Sequence, residues 1–263
     1  PKAMVDRFKM PVMAHLVLGY PTLPESIRTA DIYVQAGVEI LELQIPFSHP
    51  TADGPVITAA CQEAVERQQV TMADCLEAIR TIRQRYPEQE IMVMSYLNRV
   101  FTYGLKEFAD AMAASGVRHL IVPDLPVDSE VAATLVRNHK IGLVPVLAAN
   151  ASDARLEKLL GMGFDFFYLM SDFKITGSEF SLNPRLQQVI AQIKQPTTSN
   201  QQPRVGIGFG IRTPEQARQV TEEADVAIIG SALIQAQQAG RLEEFLEDLK
   251  EGFKTSLTTD CSS

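Results

Sequence analysis

The chain has 263 residues, of which 46% are hydrophobic and 21% charged, with a formal net charge of -8. That length suits two small domains or one large α/β barrel, and the composition excludes a disordered chain or a membrane protein. The acidic balance argues against general nucleic-acid binding but leaves room for a phosphorylated small molecule held by a few local donors.

The first residues mix acidic and basic side chains without a long apolar run, which reads as neither a signal peptide nor a membrane span. An apolar run at 13–18 reads as a strand and the amphipathic segment 25–36 as the helix after it. Strand 40–44 is followed by helices over 59–69 and 72–86, the second an extra helix before the third strand at 91–95. Helix 106–115 leads to strand 119–122, helix 129–138 to strand 142–147, and helix 154–161 to strand 166–170. Helix 184–194 leads through the polar stretch 195–203 to strand 204–207, helix 214–223 leads to strand 226–229, and a short helix opens at Gly230-Ser231. Past Phe253 the chain is small and polar, so residues 254–263 are expected to fray.

Eight alternating units without a break in composition predict a (β/α)8 barrel formed as one domain over residues 1–263, with the extra helix before the third strand. A doubly wound open sheet fits less well, because no GxGxxG turn follows the first strand. In a barrel, 195–203 would be a loop on the face away from the chemistry. Cys61, Cys75 and Cys261 are an odd number with no CxxC pair, which fits a reducing cytoplasm and no disulfide framework. His15, His49, His119 and His139 lack the spacing of a metal-binding pair, and no metal site is expected.

The stretch LELQIPFSHPTADGP, residues 41–55, carries the strongest chemical signal. Strand side chains alternate, so Glu42 faces away from Leu41 and Leu43 and shares a face with Ile40 and Gln44. If that face lines an enclosed site, burial favours the protonated acid, which suits a group that gives and takes protons near neutral pH. A structural glutamate bonded to backbone amides is the alternative. Asp53 sits in the loop that follows.

Barrel active sites lie at the C-terminal strand ends, and the loops after strands seven and eight often bind phosphate. Here those loops hold Gly208-Phe209-Gly210 and Gly230-Ser231, whose backbone amides and Ser231 hydroxyl could bind an anion without a lysine. The aromatics Tyr96 and Tyr168 stand at other strand ends, either as substrate wall or as core, and their hydroxyls need partners if buried. Asp124, in VPDLP, reads mainly as a loop cap for nearby amides.

Taken in order, LVLGYP, LELQIPFSHPTADGP, SYLN, LIVPDLP, KITG, GFGIRTPEQ and IIGSA resemble the alpha subunit family of tryptophan synthase, the indole-3-glycerol-phosphate lyase barrels. The resemblance runs through nearly the whole chain and implies retro-aldol cleavage of indole-3-glycerol phosphate to indole and glyceraldehyde 3-phosphate. It implies that Glu42 protonates the indole ring at C3 and helps move the glycerol hydroxyl proton, and that Asp53 holds the indole N–H. It further implies that His15, Met94, Tyr96, Tyr168 and Thr176 line the substrate site and that Gly177, Gly208, Phe209, Gly210, Gly230 and Ser231 hold the phosphate. No cofactor is implied in this chain. The expected partner is a beta subunit carrying pyridoxal phosphate, in an alpha2-beta2 heterotetramer in the cytoplasm.

The departures from the family pattern cluster at the site. Gln44 stands where glycine is usual, His49 replaces an aspartate in the loop that faces the beta subunit, and His15 replaces a bulky residue, usually phenylalanine. Asp172 and Lys174 occupy positions that commonly hold arginine and glycine in the loop that closes over substrate. These motivate two alternatives: a regulatory subunit with weak chemistry that activates a beta subunit, and a stand-alone lyase that releases indole. A different phosphosugar isomerase on the same barrel fits the Glu42 and Asp53 pattern least.

Overall fold

The structure is a computed structural model that describes residues 8–137, 139–170, 183–195, 202–208 and 210–259, the last five as backbone. In chain order its elements are β1 (Met10–Val17), α1 (Leu23–Ala36), β2 (Val38–Gln44), α2 (Pro55–Gln62), a π-helical turn (Glu63–Arg67), α3 (Met72–Arg85) and β3 (Glu90–Met94). There follow α4 (Leu97–Tyr103), α5 (Leu105–Ala114), β4 (His119–Ile121), α6 (Glu130–Val136), β5 (Gly142–Leu143), β6 (Val146–Ala148) and α7 (Asp153–Leu160). The last third holds β7 (Phe166–Met170), α8 (Pro184–Ile193), β8 (Arg204–Gly208), α9 (Pro214–Glu223), β9 (Val226–Ile229), α10 (Ser231–Gln238) and α11 (Leu242–Thr259).

All the strands are parallel, in the order β5-β4-β3-β2-β1-β9-β8-β7-β6. The two ends of that order, β5 and β6, are two halves of one extended segment, and this closes the sheet into the expected barrel. The break falls at Pro145, which has no N–H to give. Before it, the Val144 N–H donates to the Leu120 carbonyl at 2.9 Å; after it, the Pro145 carbonyl accepts from the Tyr168 N–H at 3.0 Å. The single strand expected over 142–147 is therefore two short ladders, one to each neighbour.

Three further differences from the sequence reading have local causes. The helix expected over 59–69 starts at Pro55, whose fixed φ suits a first helical position, and passes into the π-helical turn. Helix α4 was not foreseen because its first amide, Leu97 N–H, is capped from another strand end by Asp124 Oδ1 at 2.9 Å. Helix α11 runs to Thr259, past Phe253 where fraying was expected to begin; Leu242, Leu246, Leu249 and Phe253 seat it with one apolar face on the core, and residues 260–263 lie outside the described residues. In the polar stretch 195–203, residues 196–201 lie outside the described residues.

Outward strand residues such as Leu41, Leu43, Val93 and Ile207 pack with the helices into one buried layer. Inward residues, among them Met13, Ile40, Met92, Phe166, Val226 and Ile228, fill the barrel interior. Strand β8 turns glycines inward. A Cβ on Gly206 would stand 2.8 Å from the Phe166 ring, and one on Gly208 2.8 Å from the Tyr168 hydroxyl, so both rings can cross the interior.

Candidate active site

At the C-terminal ends of the strands the interior opens into a cavity of about 490 Å3. Its walls include His15 from β1, Glu42 from β2, Asp53 from the next loop, Met94 from β3, Tyr168 from β7 and Ile228 from β9. Gly210, Arg212, Gly230, Ser231 and Ala232 line it from the loops after β8 and β9. Of the site residues expected from the sequence, His15, Glu42, Asp53, Met94, Tyr168, Gly210, Gly230 and Ser231 therefore share one chamber, with apolar side chains between them.

Glu42 is 2% exposed and sits opposite His15 in the β1–β2 register. The His15 Nδ1–H donates to Glu42 Oε2 at 2.9 Å. Burial pushes the His15 ring toward its neutral form, but the charge and hydrogen bond of Glu42, with smaller help from Asp53 and Gln44, outweigh it and raise its pKa above the ordinary 6.5. Neither His15 Nε2 nor Gln44 Oε1 meets another polar atom at hydrogen-bond distance among the described residues, although Gln44 lies near enough to favour the protonated ring.

Asp53 is held from behind. Gln44 Nε2 and the Tyr96 hydroxyl both donate to its Oδ2, at 2.7 and 2.9 Å, and the Tyr96 oxygen accepts the Ala52 N–H at 3.0 Å. Burial raises the Asp53 pKa, countered by the His15 charge and by these two donors, and reinforced by Glu42. Tyr96 was expected to touch substrate; instead it stands one layer back, 1% exposed, as a brace for the Asp53 loop. Burial also holds the Tyr168 phenol protonated, helped by the negative charges of Glu42 and Asp53.

The wall formed by Gly230 and Ser231 is built on a helix start without a side-chain cap. Thr22, Thr71, Ser129, Ser152, Asn183 and Thr213 each accept an amide N–H at the start of their helices. At α10 the N-cap is Gly230, which has no side chain to do so, leaving the first amides directed at the cavity wall. Gly210 has φ of 85°, the left-handed region that glycine tolerates, and turns the chain beside it. Arg212, exposed at the cavity rim, is a lining residue that the sequence reading missed, although its place two residues after the glycines was the signal. Gly208 lies beneath Tyr168 and is not part of the cavity wall. Thr176, Gly177 and Phe209, with Asp172 and Lys174, lie outside the described residues.

His49 is exposed in the loop after β2, with its Nδ1 2.8 Å from the Ser48 hydroxyl and its ring edge-on to Phe47. Asp124 serves as the cap expected of it, for α4.

Known proteins share both the sequence and this architecture. The family model described as Tryptophan synthase alpha chain matches residues 3–258. A protein named tryptophan synthase alpha chain from Syntrophotalea carbinolica is 33% identical over 244 residues, covering 91% of this chain and 94% of its own length. The one from Synechocystis is 33% identical over 252 residues, covering 94% and 92%. A solved structure of Mycobacterium tuberculosis tryptophan synthase superposes with a TM-score of 0.80 at 30% identity, covering 93% of this chain and 92% of its own. The alpha subunit of Legionella pneumophila tryptophan synthase gives 0.79 at 28% identity, covering 97% and 96%. With a family match that spans nearly the whole chain, and Glu42, Asp53 and the Gly230-Ser231 helix start gathered around one cavity, this protein belongs to the tryptophan synthase alpha chain family.

Proposed function

We propose that this chain cleaves indole-3-glycerol phosphate to indole and glyceraldehyde 3-phosphate, as the alpha subunit in tryptophan biosynthesis. The observation that carries this reading is that Glu42 and Asp53 line the same cavity as the uncapped start of α10. A phosphate at α10 points the rest of the substrate toward the two acids. Met94, Ile121, Val146 and Ile228 supply an apolar wall for a flat aromatic ring.

The chemistry assigned to each residue follows from its surroundings. Glu42 gives a proton to ring carbon C3 and takes one from the glycerol hydroxyl next to the breaking bond. As the carbon–carbon bond breaks, its electron pair returns to the ring and the hydroxyl oxygen becomes the carbonyl of the product. Asp53 accepts the indole N–H and supports the positive charge that ring protonation creates, with Tyr96 and Gln44 keeping its other oxygen in place. The reaction needs no cofactor in this chain, and pyridoxal phosphate belongs to the beta subunit that consumes indole.

That partner, in an alpha2-beta2 assembly, is supported by Phe101 and Tyr103, which are 60% and 40% exposed on α4, the helix following β3 at the cavity end of the barrel. A cytoplasmic setting fits the buried free thiols of Cys61 and Cys75, and no helix among the described residues is long and apolar enough to cross a membrane. One barrel domain over the whole chain completes the reading.

The test is steady-state cleavage of indole-3-glycerol phosphate with and without a beta subunit. Wild type is expected to release glyceraldehyde 3-phosphate faster with the partner present. Glu42→Gln is expected to lower kcat by at least about a thousandfold, the scale of lost acid–base catalysis, while glycerol phosphate binding changes little. Wild-type turnover in that variant would overturn the assignment.

A further inference from the structure

His15 is buried against Glu42, faces the substrate cavity and has no task in the reaction as written. Its placement is determined from several sides. The β1–β2 register sets it opposite Glu42, and the Tyr33 hydroxyl donates to its carbonyl at 3.2 Å. Its Cβ lies 3.6 Å from where a side chain on Gly230 would begin, so the glycine leaves it room. A carboxylate has two equivalent oxygens and a free torsion, and one fixed donor removes both freedoms. With Nδ1–H on Oε2, the oxygen left for substrate is Oε1.

We propose that His15 is a positioning residue for Glu42 in the lyase reaction, fixing Oε2 so that Oε1 alone exchanges protons with the substrate. The proposal rests on the lyase reading above. Oε1 gives its proton to C3 of the ring and receives the proton of the glycerol hydroxyl, so Glu42 ends as it began and His15 gives up no proton. Between the two transfers Glu42 is a carboxylate, and the Nδ1–H supports that charge in a site nearly closed to water. A phenylalanine at position 15 would fill the space but offer no donor. Asparagine would offer one, because its amide nitrogen stands where Nδ1 stands.

Two measurements test this. In kinetics across pH, His15→Phe is expected to lower kcat about tenfold with KM changed less than about twofold, and His15→Asn to recover most of that loss. Above pH 6.5, the ordinary imidazole value, the wild-type profile should carry an inflection from His15 that both variants lack. Asp53, Tyr96, Tyr168 and Glu42 also surround this position and are retained in both variants, so the inflection that the variants lose is assigned by its loss to the imidazole. In the free protein, 15N spectra of the imidazoles, assigned through His15→Phe, should show a bonded Nδ1 proton on His15. Its pKa should fall in Glu42→Gln, because the charge that raises it is removed.

The positioning role is overturned by wild-type kcat in His15→Phe, by His15→Asn as slow as His15→Phe, or by an imidazole signal indifferent to Glu42→Gln. The spectra need no substrate, so they separate the two failures. An intact His15 to Glu42 coupling in a wild-type chain that cleaves nothing sinks the lyase reading, and the proposed role with it; a lost coupling in an active chain sinks the positioning role alone.

Discussion

Two carboxylates of the same chemical type meet different surroundings here, and single neighbours divide their work. Among the described residues Glu42 faces one donor, the His15 imidazole, whereas Asp53 faces two neutral side-chain donors on a single oxygen. Asp53 has a folded-state pKa raised by burial despite its donors, so it favours the fold below its unfolded pKa of about 3.9 and that contribution is lost as pH rises through the folded value. At neutral pH the ionised acid is therefore a cost to the fold. Asp53→Asn keeps an oxygen for Gln44 and Tyr96 and sheds the charge. It is expected to melt above wild type at pH 7, with the difference closing toward pH 4, and to lose about a hundredfold in kcat. Melting curves at the two pH values with one rate measurement decide it. Glu42 was legible in the sequence because an acid in an apolar strand is costly and conspicuous, whereas Asp53, in a loop, stood out only through the family resemblance. The partner of His15 was not, since Glu42 is distant in sequence and the strand register that pairs them is a property of the folded sheet. Gln44 was placed on the correct face, but its bond runs to Asp53 and not to Glu42.

The elements were legible where the signal is local. Each expected strand core lies within or across an observed strand because short apolar runs bounded by turns are self-evident, and the helices that begin on a Thr, Ser or Asn cap start within two residues of the expected positions. Helix α4 stayed hidden because its cap comes from the β4 loop, and the β5–β6 break because closure asks one segment to serve two neighbours. Helix α10 is the element to which the proposed function assigns the substrate phosphate. Its first turn has no acidic residue and its N-cap no side chain, so the positive end of its dipole is unspent. Ser231→Asp would place a carboxylate on that end. The change is expected to stabilise the helix by about 0.5 kcal/mol and to repel the substrate phosphate, raising KM about tenfold or more with a smaller effect on kcat. A variant that gained stability yet kept its KM would show that the phosphate sits elsewhere.

Across the molecule the barrel separates chemistry from stability, with the cavity at one end and a charged plug at the other. Arg204, inward on β8, donates to Glu90 Oε2 at 2.8 Å and to Glu39 Oε1 at 2.6 Å, and its guanidinium stands 5.6 Å from the centre of the Phe166 ring. Nearby, Asp225 accepts the Val205 N–H and the Lys194 ammonium, and His119 pairs with Asp165. Burial raises the Glu39 pKa and Arg204 lowers it, with Glu90 and Asp225 raising it further. Arg204→Met would leave two partly buried carboxylates facing each other across the barrel. A fully buried pair broken this way costs about 3–5 kcal/mol, but these side chains are about a third exposed and screened by water, so about 2 kcal/mol is expected at pH 7. In a chain of this length that lowers Tm by about 5 °C. The sign with pH follows from Glu39: its folded pKa is already raised and rises further without the guanidinium, so protonation on the acid side relieves the repulsion. The deficit should therefore be largest at pH 7 and shrink toward pH 5, while kcat at 25 °C stays at the wild-type value because the plug touches no wall of the cavity. Thermal melts at both pH values, with lyase rates on the same samples, check each part. An equal deficit at both values would mean that Arg204 acts through its packing on Phe166, and a fall in kcat would mean that the two ends of the barrel are mechanically coupled.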